Sequence, residues 1–279
     1  MLLGLATLLG CDDAKQGAKA PATNTRTDTA AAAVGSGDQA ATNTNATTAV
    51  VSGALLAKVK KRVTFSGSRG DTVPGYLWLP QRRSGQKLPA ILAMYGIDGS
   101  KDDSEIAHAA DLLTDDGYVV MTIDWPGTGD RGSISKTDRV IKKDVLTWTV
   151  GDYKVAVDFL QAQPEVEASR LGYVGASMGA MTGIAFASRE PRIKTLVAVV
   201  PIPNPLWGGD DPEVLISRLG RPVLCINTDD NSDFSALVCN NNVGAGSERQ
   251  ALPGGHELEG FRDQVVQAAK TFLDKNLKP

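Results

Sequence analysis

An α/β domain built on a mostly parallel sheet with helices on both faces is the fold class the sequence predicts, and three observations predict it. Short, nearly continuous apolar runs such as "KLPAILAMYG" and "YVVMTIDWPG" have the pattern of strands buried on both faces. Between such runs lie longer segments with apolar residues at helical spacing, so strand and helix alternate as crossover connections in a parallel sheet require. At 279 residues and 42% hydrophobic content, the chain is long enough to bury one sizeable core. Its net charge of -3 comes from 29 Lys and Arg against 32 Asp and Glu. Neither a basic face nor an acidic tail is present, so no nucleic-acid partner is expected.

The elements follow in order. "MLLGLATLLGCDDAK" opens with an apolar run too short to span a bilayer as a helix and ends in Leu8-Leu9-Gly10-Cys11. It resembles a bacterial lipoprotein signal, which implies that residues 1–11 are signal-like, with Cys11 as the lipidated residue. Asp12 resembles an inner-membrane retention signal, which implies a lipid-anchored protein on the periplasmic face of the inner membrane. Residues 12–54 are rich in Ala, Thr, Asn, Gly, Gln and Ser and carry no sustained apolar period, so they read as a disordered tether. The folded domain is expected over residues 55–279.

"KVKKRVTFSG" and "DTVPGYLWLP" read as antiparallel strands around the turn "SRGD". "KLPAILAMYG" is the next strand. The helix "DDSEIAHAADLLTDDG" follows it, with Ile106, Ala109, Ala110, Leu112 and Leu113 on one side and Asp103 or Ser104 as cap. After "YVVMTIDWPG", the stretch "KKDVLTWTVGDYKVAVDFLQAQPEV" sets Val145, Trp148, Tyr153, Val157 and Leu160 at helical spacing and stops near Pro164. Then come strand "LGYVGA", helix "MGAMTGIAFASRE", strand "IKTLVAVVPI" and strand "RPVLCIN". A helix from about Ser232, strand-like "SERQAL" and the final helix "LEGFRDQVVQAAKTFLDKNL" complete the chain.

The chemistry centres on Gly175-Ala176-Ser177-Met178-Gly179, a G-x-S-x-G at a strand-to-helix junction. A serine on so sharp a turn needs neighbours without bulk, and the turn lifts its hydroxyl above the carboxyl edge of the sheet. Such a serine needs a base, usually a histidine held by a carboxylate. Of the two histidines, His108 falls inside a helix and reads as partly buried structure, whereas His256, in the glycine-rich "LPGGHELEG", is placed to be the base. For the acid, "TDDNSDF" offers three aspartates: Asp230 is preferred, with Asp233 and then Asp229 as alternatives, and at least one of them must cap the following helix. Two backbone amides are needed for an oxyanion, and Met178 and Ile97 are the expected donors.

From about Lys60 to Leu277 these motifs resemble the α/β-hydrolase superfamily, in its dienelactone hydrolase, acetyl xylan esterase and prolyl oligopeptidase-like branches. "PAILAMYGIDGSKDD", "DWPGTGDRG", "VAVDFLQAQPEVEASRLGYVGASMGA" and "LPGGHELEG" carry the likeness. It implies an eight-stranded sheet and a cofactor-free serine esterase forming an acyl-enzyme, while two distant histidines and no Cys-x-x-Cys pair argue against a metal site. Tyr95 stands where many members have histidine and could offer its hydroxyl to substrate. The short "PNPLWGGDDPEVLISRLG" implies a short or absent lid and small or soluble ester substrates, with Trp207 either lining the acyl pocket or pinning that loop. Gly127, Gly129 and Arg131 read as a structural loop. A prolyl oligopeptidase-type peptidase and a non-catalytic binding lipoprotein are the rival readings. Cys225 and Cys239 are left as either a disulfide, which an envelope location permits, or two buried thiols.

Overall fold

The computed structural model describes residues 53–203, 211–230 and 233–278, leaving aside the side chains of residues 140 and 141. Cys11, most of the expected tether, Trp207 and the expected helix start at Ser232 lie outside the described residues.

In chain order the strands are β1 (Leu55–Leu56), β2 (Val59–Ser66), β3 (Thr72–Leu79), β4 (Arg82–Arg83), β5 (Leu88–Met94), β6 (Val119–Ile123), β7 (Val166–Ala176), β8 (Ile193–Val199), β9 (Val223–Thr228) and β10 (Glu248–Leu252). The helices are α1 (Ser104–Asp115), α2 (Lys136–Ile141), α3 (Lys143–Gln161), α4 (Met178–Ala187), α5 (Pro212–Ile216), α6 (Ser235–Cys239) and α7 (Arg262–Leu277). An eight-stranded sheet has the order β10-β9-β8-β7-β5-β6-β3-β2, while β1 and β4 form a small antiparallel pair beside it. β2 and β3 are the expected antiparallel hairpin, with Val59 opposite Leu79 and Ser66 opposite Thr72. β3 runs antiparallel to β6, and every pairing from β6 through β10 is parallel.

Parallel strands force crossovers, and the crossovers cover both faces. Adjacent residues of β7 show this, because successive side chains of a strand point to opposite faces. A Cβ at Gly172 would meet Leu273 and Leu277 of α7, whereas the ring of Tyr173 lies against Gly183 of α4. β5, β6 and β9 are buried along their whole length, which is why their sequences show no polar alternation. α1 is capped by Asp103, whose carboxylate accepts from the Glu105 and Ile106 amides.

Local differences from expectation have local causes. The helix expected from about Ser232 is the five-residue α6, starting at Ser235. The last helix begins at Arg262 rather than Leu258, because Leu258 (φ 47°) and Gly260 (φ 80°) turn the chain before it. His108 is exposed, not partly buried, and its Nε2 lies 3.5 Å from an Asp263 carboxylate oxygen. In the connection expected to carry a short lid, the described part holds only α5.

Candidate active site

The carboxyl ends of β5, β7 and β9 and the loop after β10 meet at one place. Ser177 stands between β7 and α4 with φ 52° and ψ −116°, a left-handed conformation that costs a non-glycine residue on the order of 1–3 kcal/mol. The fold holds it there: the Ser177 amide donates to the Val199 carbonyl at 2.8 Å, and its own carbonyl accepts from the Met181 amide at 3.0 Å. The flanking glycines are required by contact rather than by their dihedral angles. A Cβ on Gly175 would stand 2.5 Å from the Gly179 carbonyl oxygen, and one on Gly179 would stand 2.6 Å from the Tyr95 carbonyl oxygen. Both obstacles are backbone, so neither can swing aside.

Ser177 Oγ lies 2.8 Å from His256 Nε2, and His256 Nδ1 lies 2.5 Å from Asp233 Oδ2. The structure therefore brings Ser177 and His256 together, as the sequence order suggests. The carboxylate at the imidazole is Asp233, however, and not the preferred Asp230. β9 ends at Thr228, after which Asp229 and Asp230 point outward and are exposed. The Asp233 amide then donates to the Asp230 carbonyl at 3.0 Å, closing a turn that brings the chain back inward and buries Asp233. Asp229 accepts from the Gly254 amide at 3.2 Å and so ties the acid loop to the histidine loop.

Asp233 Oδ1 also accepts from the Ser235 amide at 2.7 Å. An aspartate two residues ahead of a helix-starting serine is a recognisable turn signal, and it is the mark that could have separated Asp233 from its neighbours. Burial pushes the Asp233 carboxyl up, but the hydrogen bonds with His256 and Ser235 outweigh it and hold the group below the usual carboxylate range. A disulfide between Cys225 and Cys239, separated by 14 in sequence, closes the segment that carries this aspartate.

Gly96 backs onto the serine: a Cβ built on Gly96 would lie 3.6 Å from Ser177 Cβ. This sets Ile97 in the loop beside Ser177, while Met178 is the first residue of α4, where amides lack intrahelical acceptors. Tyr95 does not offer its hydroxyl to the site. It is buried and stacked on Trp125, its oxygen lies 2.9 Å from Thr128 Oγ1, and it accepts from the Trp125 amide at 3.0 Å. Gly99 packs on the Tyr95 ring, where a Cβ would come within 2.6 Å. Arg131 belongs to a structural loop, as expected, bridging Asp71 and Asp152 at 2.6 Å each.

Residues 104–221 match the prolyl oligopeptidase family. An uncharacterised protein of Pseudomonas aeruginosa is 31% identical over 144 residues, which is 51% of this chain and 37% of that protein, so the match spans little more than a third of that relative. Among solved structures, a cold-adapted esterase from an Arctic intertidal metagenomic library aligns over 80% of this chain and 96% of its own, with TM-score 0.67 and 23% identity. Dienelactone hydrolase from Anabaena variabilis aligns over 80% of this chain and 100% of its own, with TM-score 0.63 and 17% identity. Strand order and these likenesses agree that the chain has the α/β-hydrolase fold.

Proposed function

We propose that this protein is a serine hydrolase that cleaves carboxylic esters of small or soluble substrates. The supporting observation is the relay from Ser177 Oγ to His256 Nε2 at 2.8 Å and from His256 Nδ1 to Asp233 Oδ2 at 2.5 Å. His256 takes the proton of Ser177 as Oγ attacks the ester carbonyl, and Asp233 holds the imidazole in the tautomer that presents a bare Nε2 to the serine. The Met178 and Ile97 amides receive the developing oxyanion. His256 then gives the proton to the departing alcohol, leaving an acyl group on Ser177, and water activated by the same base releases the acid.

A fluorophosphonate probe tests this, together with turnover of p-nitrophenyl acetate. Wild type should label and turn over the ester, and Ser177→Ala should do neither. A wild type that does neither is the outcome that favours a non-catalytic binding role instead. The match of residues 104–221 to the prolyl oligopeptidase family favours a second reading, peptide-bond cleavage. Faster turnover of a prolyl p-nitroanilide than of the acetate ester would select it.

We further infer that the domain is tethered to the periplasmic face of the inner membrane through lipid on Cys11, a reading that rests on Leu8-Leu9-Gly10-Cys11. No helix among the described residues is long and apolar enough to cross a membrane. Radiolabelled palmitate should be incorporated by the full chain and not by Cys11→Ala.

A further inference from the structure

Arg139 is a buried arginine on α2, and all three of its hydrogen bonds among the described residues go to main-chain carbonyls. Nη1 donates to the carbonyls of Gly127 at 3.1 Å and Ile134 at 2.7 Å, which fastens the guanidinium to the loop after β6. Nη2 donates to the Ile97 carbonyl at 2.8 Å, in the loop that stands against Ser177. Nε is buried without a hydrogen-bond partner among the described residues. Asp98, the acid next to Ile97, pairs with Lys136 instead. A planar fork spanning three carbonyls is a task for arginine and not for lysine, whose ammonium is a point donor.

The geometry around Ile97 gives this contact a consequence. The Gly96 carbonyl accepts from the Gly99 amide at 3.2 Å, and in a planar trans peptide the Ile97 N–H points the opposite way. The next peptide is held through its own carbonyl by Arg139. The peptides on both sides of the Ile97 Cα are thereby pinned, so the direction of the Ile97 amide is set before substrate arrives. The same guanidinium places a positive charge, paired with no carboxylate through these bonds, behind the loop.

We propose that Arg139 is a positioning residue for the oxyanion hole, aiming the Ile97 amide and adding a fixed positive charge that favours the oxyanion over the neutral ester. The inference rests on the serine-hydrolase reading. An interaction stronger in the transition state than in the ground state lowers kcat when removed and leaves KM nearly unchanged. Burial holds the Arg139 guanidinium somewhat below its usual range, with the charge of Asp98 opposing, and it remains a cation throughout the working pH range.

The test compares wild type, Arg139→Gln and Arg139→Lys, each first shown to be folded by thermal unfolding. The readouts are kcat and KM for p-nitrophenyl acetate and the inhibition constant of a trifluoromethyl ketone, which adds to Ser177 as a tetrahedral oxyanion. Removing one oxyanion donor from a hydrolase costs on the order of 100-fold in kcat, so loss of the group that aims it should cost about 10- to 100-fold. Both variants should show a loss in that range, the larger one in Arg139→Gln, which removes the charge as well as the fork, with KM within about twofold and ketone affinity falling by a similar factor. A folded Gln or Lys variant that keeps kcat within twofold of wild type overturns the inference, as does a loss confined to KM. So does a fall in kcat that leaves ketone affinity unchanged. Should Arg139→Gln not fold, Arg139→Lys decides alone. A wild type that neither labels with fluorophosphonate nor turns over ester removes the hydrolase reading itself, which none of the variant outcomes does.

Discussion

Asp233 has two carboxylate oxygens and uses them for different partners, Oδ1 for the Ser235 amide and Oδ2 for His256 Nδ1. The first contact fixes the side chain, and the fixed side chain then fixes the imidazole. Asp233→Asn keeps the shape but offers His256 a donor in place of an acceptor, so the imidazole turns to the tautomer that cannot accept the serine proton. The expected result is a fall in kcat of roughly 10⁴-fold, while Asp230→Asn and Asp229→Asn, both at exposed positions, keep kcat within about threefold of wild type. Near-equal losses at Asp230 and Asp233 would remove Asp233 from the role. Asp233 also links stability to pH. Its carboxyl is held below the ordinary range, so its contribution is fully present above the unfolded value of about 4 and is lost as pH falls through the lower folded value. Urea denaturation of wild type and Asp233→Asn should therefore differ at pH 7 and converge as pH falls through that lower folded value.

At the scale of elements, the acid loop is a short excursion stapled at its base. β9 delivers Cys225, α6 delivers Cys239, and Asp233 lies between them. Closing a loop of about 15 residues removes unfolded-state entropy worth roughly 3 kcal/mol. A Cys225→Ala, Cys239→Ala double variant should thus lose about 2–4 kcal/mol in chemical denaturation; a loss under about 0.5 kcal/mol would show that the bond does not stabilise the fold. Much of this scale is legible in the sequence, because the all-apolar runs of β5, β6 and β9 have no other comfortable place than a buried parallel sheet. Ser177 and His256 are legible too, the first from glycines that leave room for backbone on both sides, the second because His108 sits mid-helix. The carboxylate that meets the imidazole is not, since three aspartates stand within five residues and only the turn from Asp230 to Asp233 decides which one faces inward. Whether Cys225 and Cys239 pair is equally hidden, because it depends on the short α6 folding back over β9. Arg139 leaves no sequence mark, as its partners are carbonyls spread from Ile97 to Ile134.

Across the whole molecule, the carboxyl edge of the sheet is held by a lattice of charges. The Lys101 ammonium, 1% exposed, reaches Asp102 at 2.7 Å, Asp130 at 2.7 Å and Asp124 at 3.1 Å. Asp124 is fully buried and also accepts from the Lys101 amide at 2.8 Å and the Asp130 amide at 2.9 Å. Arg131 continues the lattice to Asp71 in the β2–β3 turn and to Asp152 on α3, and Arg62 of β2 reaches Asp130 at 2.8 Å. The hairpin, the loop after β5, the loop after β6 and α3 are thus joined through ions. Burial alone would lower the Lys101 pKa, yet the three carboxylates raise it, so the ammonium stays charged. Deleting that ammonium removes three attractions and leaves Asp124 as an uncompensated charge without access to water. Breaking a buried pair in this way typically costs about 3–5 kcal/mol, against about 0–1 kcal/mol for an exposed pair. Lys101→Met should therefore lose about 3–5 kcal/mol in urea denaturation at pH 7. Lys142→Met, which removes only the exposed contact with Asp138, should lose less than about 1 kcal/mol. Hydrogen bonds from the Lys101 ammonium outweigh burial and hold the Asp102 and Asp130 carboxyls below their usual range, so the Lys101→Met deficit should be fully present above about pH 4 and shrink as pH falls through their lower folded values. A deficit independent of pH would mean that Lys101 acts through the packing of its methylene stem rather than through its charge.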